Sequence, residues 1–326
     1  MSTSPAPQAT VVIPYFEASA TVRATLDSVL AQSVRDIEVL LVDDGSVREP
    51  LPADLPDDPR VHVMRRPQNG GYARVTNEAV ARARGEWVTF VDSDDTVAPD
   101  YLERLIAAGE AAGADAVFTP MIRVAGGRTI GRGPWNPRSD VLSSADAIRA
   151  LLHGDLSGTQ HLLLRRPAAV SEPDQVYSDT IFTLRNLAHA GDVACVDAEL
   201  YFNSVRIGST TGTLRTTVWD LVRLNEVLRP TVESVFAPQE AAELLQAHRD
   251  LSLTQILHTA ANEREDSPLR AEVTDWCRRR ISLRGIADQA RRRNYLAAAS
   301  WSLAKLSGSL HRRAYQAYDS RRKQAV

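Results

Sequence analysis

Cysteine is scarce: Cys195 and Cys277 stand alone in 326 residues, far apart and in no metal-ligand spacing. That excludes a disulfide framework or a thiolate metal site and fits a reducing compartment. No run approaches the ~20 apolar residues a membrane-spanning helix needs. Residues 1–10 lack the basic and apolar regions of a signal peptide. These absences set the expectation of a cytoplasmic protein with residues 1–8 disordered. Charge of one sign is also missing, for the formal net charge is −3 with 24% charged and 44% hydrophobic residues. Nothing in that balance calls for nucleic acid as a partner. There is no internal repeat, no low-complexity segment, and no G-x-G-x-x-G after the first strand-like run. The last absence argues against a dinucleotide-binding domain.

What is present centres on residues 85–95. The apolar run WVTFV at 87–91 follows Gly85 and is stopped by Asp92, Asp94 and Asp95. So short and apolar a run predicts a buried central strand. Its carboxyl end would present the three acids in the crevice where open α/β sheets bind ligands. Clustered carboxylates make one another harder to ionise. A divalent cation removes that penalty, and hard oxygen ligands suit Mg²⁺ or Mn²⁺ rather than zinc. An acidic turn capping the next helix is the alternative reading. It leaves unexplained a second acidic strand end upstream, Asp43 and Asp44.

Taken in order, residues 10–15 predict a first strand that Pro14 ends, and residues 21–31 a helix with Val22, Leu26, Val29 and Leu30 on one face. Strands are expected at 37–42 and 61–64, and a helix at 72–84. This alternation is the pattern of a parallel, doubly wound sheet. A receiver domain also carries an acidic pair and a later strand-end Asp, but it would not need the second acidic cluster. After the acids, Pro99 suits a first helical position, with Asp100 and Glu103 at the positive end of the dipole. A strand is expected at 117–118, a hairpin about Gly126 and Gly127, and a capping box at Ser143 to Asp146. Asp179 stands at the mouth of an apolar helical segment, where a helix cap is the simple reading. From about residue 206 strand signals fade and helical spacing takes over. The tail carries Arg278 to Arg280, Arg291 to Arg293, Arg312, Arg313 and Arg321 to Lys323, opposed only by Asp288 and Asp319. A solvated face, an anionic membrane surface and a polyanionic substrate all fit such runs.

Four ordered segments, VVIPY at 11–15, DSVLAQ at 27–32, VDDGS at 42–46 and FVDSDD at 90–95, together resemble the family 2 glycosyltransferases. The resemblance implies a GT-A fold over 9–212, a mostly parallel mixed sheet, followed by a helical region at 213–326 with a basic tail. It implies a metal-dependent transferase that moves a sugar, with inversion, from a nucleotide-diphosphate donor to an acceptor hydroxyl. Carried over by position, Pro14 and Tyr15 would belong to the nucleotide pocket and Asp44 would bind the base, typically uracil. Asn69 and Arg74 would lie on the nucleotide side. Asp92 would face the ribose and the metal, Asp94 would be the metal ligand proper, and Mn²⁺ or Mg²⁺ the cofactor. Asp179 would be the general base, with Ser178 standing where the family commonly has a first acid. Arg206 opens a segment similar to the family's basic loop over the diphosphate. Two departures are visible. Val75 and Thr76 separate Arg74 from Asn77, which are adjacent in the family, and Phe16 replaces a usual Asn.

Around Asp179 and Arg206 the sequence is also similar to wall-teichoic-acid glycosyltransferases, which implies a phosphate-rich cell-surface polymer as acceptor. A glycolipid or small natural product as acceptor, or an inactive nucleotide-sugar-binding scaffold, are the competing readings. The basic helical tail implies acceptor binding, self-association or peripheral contact with the inner membrane face.

Overall fold

The computed structural model describes residues 6–167, 178–205, 214–292 and 294–324, with backbone alone at 159, 178 and 321–324. Two compact units result, one made of residues 1–204 and 227–244, the other of 205–226 and 245–326. The stretch 227–244 thus groups with the sheet.

In the first unit β1 (Ala9–Tyr15), α1 (Val22–Leu30), β2 (Ile37–Asp43), β3 (Val61–Arg65), α2 (Tyr72–Arg82) and β4 (Trp87–Phe90) alternate. Then come β5 (Thr96–Val97), α3 (Tyr101–Ala112), β6 (Ala116–Phe118), β7 (Met121–Ala125) and β8 (Arg128–Arg132). The rest are β9 (Val141–Ser143), α4 (Ser144–His153), β10 (Leu162–Arg165), α5 (Ser178–His189), β11 (Asp192–Cys195) and β12 (Tyr201–Ser204). Eight strands form one sheet in the order β3-β2-β1-β4-β10-β6-β11-β9, and β5-β12-β7-β8 form a second. In the large sheet β10 and β9 run against the other six. Central strands are buried on both faces, which is why β2 is apolar nearly throughout and not alternating. One face packs Val11, Ile13, Val39, Leu41 and Trp87 against Val22, Leu26 and Val29 of α1 and Leu102, Leu105 and Ile106 of α3. Helices α2 and α5 cover the other.

Several local expectations are met in detail. Ser143 caps α4, its side chain accepting from the Asp146 N–H, and Gly126 and Gly127 turn the β7–β8 hairpin. Others shift. Pro14 does not end β1: pairing with β2 runs on to Tyr15 opposite Asp43. Pairing with β4 stops at Val12, whose carbonyl accepts from Val91 N–H at 2.9 Å. Proline's missing donor therefore falls on the side where no strand needs it. Pro99 sits outside α3, whose N-cap is Asp100. Pro7 and Gln8, expected to be disordered, already accept from Glu86 and Trp87 N–H groups.

Gly85 shows why the central run is preceded by glycine. A Cβ there would stand 2.4 Å from the Thr10 nitrogen and 2.5 Å from the Ala9 carbonyl carbon, both backbone. Its N–H donates to Thr10 Oγ1 at 2.9 Å, and Thr10 donates in turn to the buried Glu38 at 2.6 Å. Burial pushes the Glu38 carboxyl up, but hydrogen bonds from Thr10 and Arg84 outweigh it and hold the carboxyl below the usual range.

The second unit is helical where described. It takes in the later part of α7 (Pro238–Asn262), then α8 (Pro268–Arg280), α9 (Leu283–Arg291), α10 (Tyr295–Leu306) and α11 (Gly308–Gln324). The helix before α7, α6, spans Asp220–Val235. Serine or asparagine at 267, 282 and 294 caps α8, α9 and α10 through the side chain.

Candidate active site

Parallel pairing of β2, β1 and β4 brings the two acidic strand ends to one edge of the sheet. After β2, Asp43 Oδ1 accepts from Ser46 N–H at 2.9 Å. Asp44 is 4% exposed, and its oxygens accept from Gly70 N–H at 2.9 Å and Gly71 N–H at 2.8 Å, with Arg66 Nε 3.0 Å away. Asp44 therefore holds the 66–71 loop against the end of β2. Gly45, at φ +71°, permits this: a Cβ would meet Gln68 and Asn69 backbone at 2.5–2.7 Å. Asn69 Oδ1 also accepts from Gly71 N–H, at 3.1 Å. Arg74 lies in the first turn of α2, its Cδ where a Gly70 Cβ would come to 2.8 Å. Tyr15 is buried and donates to the Glu49 carbonyl at 2.5 Å, while its own carbonyl accepts from Asp44 N–H. Pro14 beside it is half-buried, and Phe16 turns outward at 46% exposure.

Past β4 the chain makes a tight turn, Asp95 N–H donating to the Asp92 carbonyl at 2.9 Å. One carboxylate oxygen from each of Asp92, Asp94 and Asp95 falls within 4.8 Å of the others. The three are not equivalent. Asp95 is fully buried, and its oxygens accept from Tyr201 Oη at 2.7 Å, Ser204 N–H at 2.8 Å and Asn203 Nδ2 at 3.2 Å. Tyr201 Oη also accepts from Asp92 N–H at 3.2 Å, so one phenol on β12 pins both ends of the turn. Burial, then the charge of Asp94, pushes Asp95 up to about 6. Asp92 is half-buried and Gln160 donates to it. Burial, then Asp95, Asp94 and Asp179 in that order, drives its carboxyl well above the usual range.

Asp179 occupies the first turn of α5, and burial raises its pKa against backbone N–H bonds from Thr180 and its own residue. The aromatic pair Phe90–Phe182, edge to face at 5.3 Å, clamps the start of α5 to the end of β4. That contact brings Asp179 close enough for its charge to act on Asp92. Gly158 lets the preceding loop close on α5, since a Cβ would meet Thr183 Oγ1 at 2.9 Å, and the same loop delivers Gln160. Tyr72, first residue of α2, points its hydroxyl into this group. The oxygen is buried without a hydrogen-bond partner among the described residues and feels Asp92, Asp179 and Asp95. Arg206 lies outside the described residues.

Residues 10–170, about half of the chain, match the family model described as glycosyl transferase family 2. The chain carries a glycosyltransferase family 2 domain. The succinoglycan biosynthesis protein ExoO of Rhizobium meliloti (strain 1021) is 39% identical over 110 residues, 33% of this chain and 31% of ExoO. The match to such curated relatives spans only about a third of their length. Among solved structures, S. aureus TarS 1–349 in complex with UDP-GlcNAc superposes with a TM-score of 0.62 at 17% identity, over 96% of this chain and 92% of that one. Mannosyltransferase PcManGT from Pyrobaculum calidifontis, in complex with GDP-Man and Mn²⁺, gives 0.50 at 16% identity, over 95% and 84%. Those likenesses establish a GT-A-like α/β fold.

In this family 2 domain the acids fit a divalent cation on chemical grounds. The donor set is all hard oxygen, and the principal charges acting on Asp92 are negative. Asp95 is held by β12, and one oxygen of each of the three acids could contribute to an ion site. Tyr201, Gln160, Asn203 and Tyr72 escaped the sequence reading. The first three acquire their role through contacts across 68 or more residues, and nothing near them in sequence marks it. Tyr72 follows the Gly70-Gly71 pair at a helix start, a place where attention to side-chain direction would have found it.

Proposed function

We propose that the chain transfers a sugar from a nucleotide-diphosphate donor to an acceptor hydroxyl with inversion, Asp179 acting as general base. The observation that carries this is the proximity of Asp179 to Asp92, with Phe90 packed on Phe182 between β4 and α5. Asp92 and Asp94 would hold Mn²⁺ or Mg²⁺, which when bound supplies positive charge to the leaving diphosphate. Asp44 and Asn69 shape the loop beside the base site, with Tyr15 and Pro14 beneath. Arg74 and Arg206 serve the phosphates. Asp179 accepts the proton from the acceptor hydroxyl as that oxygen attacks the anomeric carbon from the side opposite the diphosphate. A raised pKa makes it a better base than an exposed carboxylate.

UDP is the proposed nucleotide, supported by the UDP-GlcNAc bound to the structurally similar TarS, although PcManGT holds GDP-Man. A polyanionic cell-surface glycan is the proposed acceptor class; ExoO, by its name, also serves the synthesis of a glycan. The buried, unpaired cysteines support a cytoplasmic site of action.

The test is Asp179→Asn, which keeps shape and helix capping but removes the base. Turnover should fall roughly 10²-fold or more with donor affinity unchanged. Transfer at the parent rate would place the base elsewhere.

A further inference from the structure

Six of the ten large apolar side chains exposed among the described residues crowd into positions 283–318, led by Leu283 at 78%, Leu306 at 75% and Tyr295 at 66%. Helix α10 turns Ala297, Ala298, Trp301 and Ala304 inward. Its exposed residues are Tyr295, Leu296, Ala299, Lys305 and Leu306, the four uncharged ones on one side at helical spacing. Helix α11 continues from it through Ser307, and Ser300 Oγ lies 2.7 Å from His311 Nε2 between the two. On α11 the described exposed positions are Ser309, Leu310, Arg313, Ala314, Ala317, Tyr318 and Ser320, of which Leu310, Ala314, Ala317 and Tyr318 form an apolar row. An ordinary surface helix shows water a polar side, whereas these two show rows of apolar side chains bordered by Lys305 and Arg313.

The same segment concentrates positive charge. Residues 278–326 hold thirteen Arg and Lys against two Asp, a formal +11 in a chain of net −3, which leaves −14 for the rest. Some of these cations are engaged within the unit: Arg278 Nε donates to the Ala304 carbonyl at 3.0 Å, and Arg312 pairs with Glu265 at 3.0 Å. Arg284 and Arg313 are exposed.

We propose that this apolar, cationic face docks on an anionic phospholipid bilayer. The leucines and tyrosines enter the headgroup boundary while the arginines meet lipid phosphates. No helix among the described residues is long and apolar enough to cross a membrane, so contact through these helices is interfacial. A second copy of the chain would also cover apolar side chains. It would bring the same +11 segment to the contact, and like charges oppose that pairing. The charge selects the lipid.

Flotation of the full chain with vesicles tests this, using phosphatidylcholine alone and a phosphatidylcholine–phosphatidylglycerol mixture. The chain should rise with the anionic vesicles only, and less as salt increases. Leu306→Ser with Leu310→Ser should lower partitioning by roughly ten-fold per leucine. Arg284→Gln with Arg313→Gln should lower it by roughly five-fold per charge. Both pairs are exposed, and unchanged melting curves verify the fold. Equal binding to both vesicle types, or to neither, overturns the proposal. Sedimentation velocity that shows a dimer which the leucine variant dissociates, without vesicle binding, assigns the face to a second copy instead.

Discussion

Single side chains divide the acidic turn between scaffold and chemistry. Tyr201 serves the scaffold, since its hydroxyl bonds Asp95 and Asp92 N–H together. Tyr201→Phe should therefore lower stability by about 1–3 kcal/mol, read from urea midpoints, because a buried carboxylate loses a partner. Tyr72→Phe should behave oppositely. Its buried hydroxyl has no partner among the described residues, so removal costs the fold nothing and the melting temperature should hold or rise. If the hydroxyl serves bound donor, kcat/KM falls in the same variant. Parent stability together with parent kinetics would leave Tyr72 without a role in turnover. Asp94→Asn addresses the ion: added Mn²⁺ or Mg²⁺ should strengthen UDP binding by the parent chain but not by the variant. Calorimetry with and without chelator decides, and equal UDP affinity in all four conditions removes the metal assignment.

Elements were legible in proportion to how much of their cause was local. β1, β2 and β4 announce themselves because strands buried on both faces must be apolar and must stop where the acids begin. β10 does not. Its Leu162-Leu163-Leu164 is too short to choose between strand and helix, and it becomes a strand because β4 and β6 offer edges on both sides. β5, β9, β11 and β12 are two to four residues each and are likewise made by their neighbours. The acids of the site were visible for the same reason as the strands, and Tyr201 was hidden for the same reason as β12. Gly85 provides a test at this scale. A Cβ there meets backbone of β1 that cannot yield, so Gly85→Ala should separate β4 from β1 and destabilise by about 1–3 kcal/mol. An unchanged urea midpoint would show that the strands adjust.

At the scale of the molecule, the units should respond differently to acid. His248, His258 and His311 belong to the helical unit, and burial lowers each to about 4. A histidine held neutral in the fold contributes stability that is complete above the unfolded value near 6.5 and is lost as pH falls toward 4. For one such group the loss is at most about 3 kcal/mol. In the sheet unit burial likewise lowers His161 to about 4. That unit's Asp95, at about 6, takes up its proton more readily folded than unfolded and so opposes the loss in that range, as the raised Asp250 does in the helical unit. Limited proteolysis at pH 7 and pH 5 under mild urea checks this, with cleavage in 245–326 expected first at pH 5. The same order of cleavage at both values would count against it.

The place of β10 bears on how the chain is made. The parallel quartet β3-β2-β1-β4 is complete once Phe90 has emerged, but the partner that closes β4 lies about seventy residues further on. At ordinary translation speeds that interval lasts on the order of 4–14 s. Throughout it the nascent sheet has its innermost, most apolar edge open, so synthesis stalled before Leu162 should release aggregation-prone fragments.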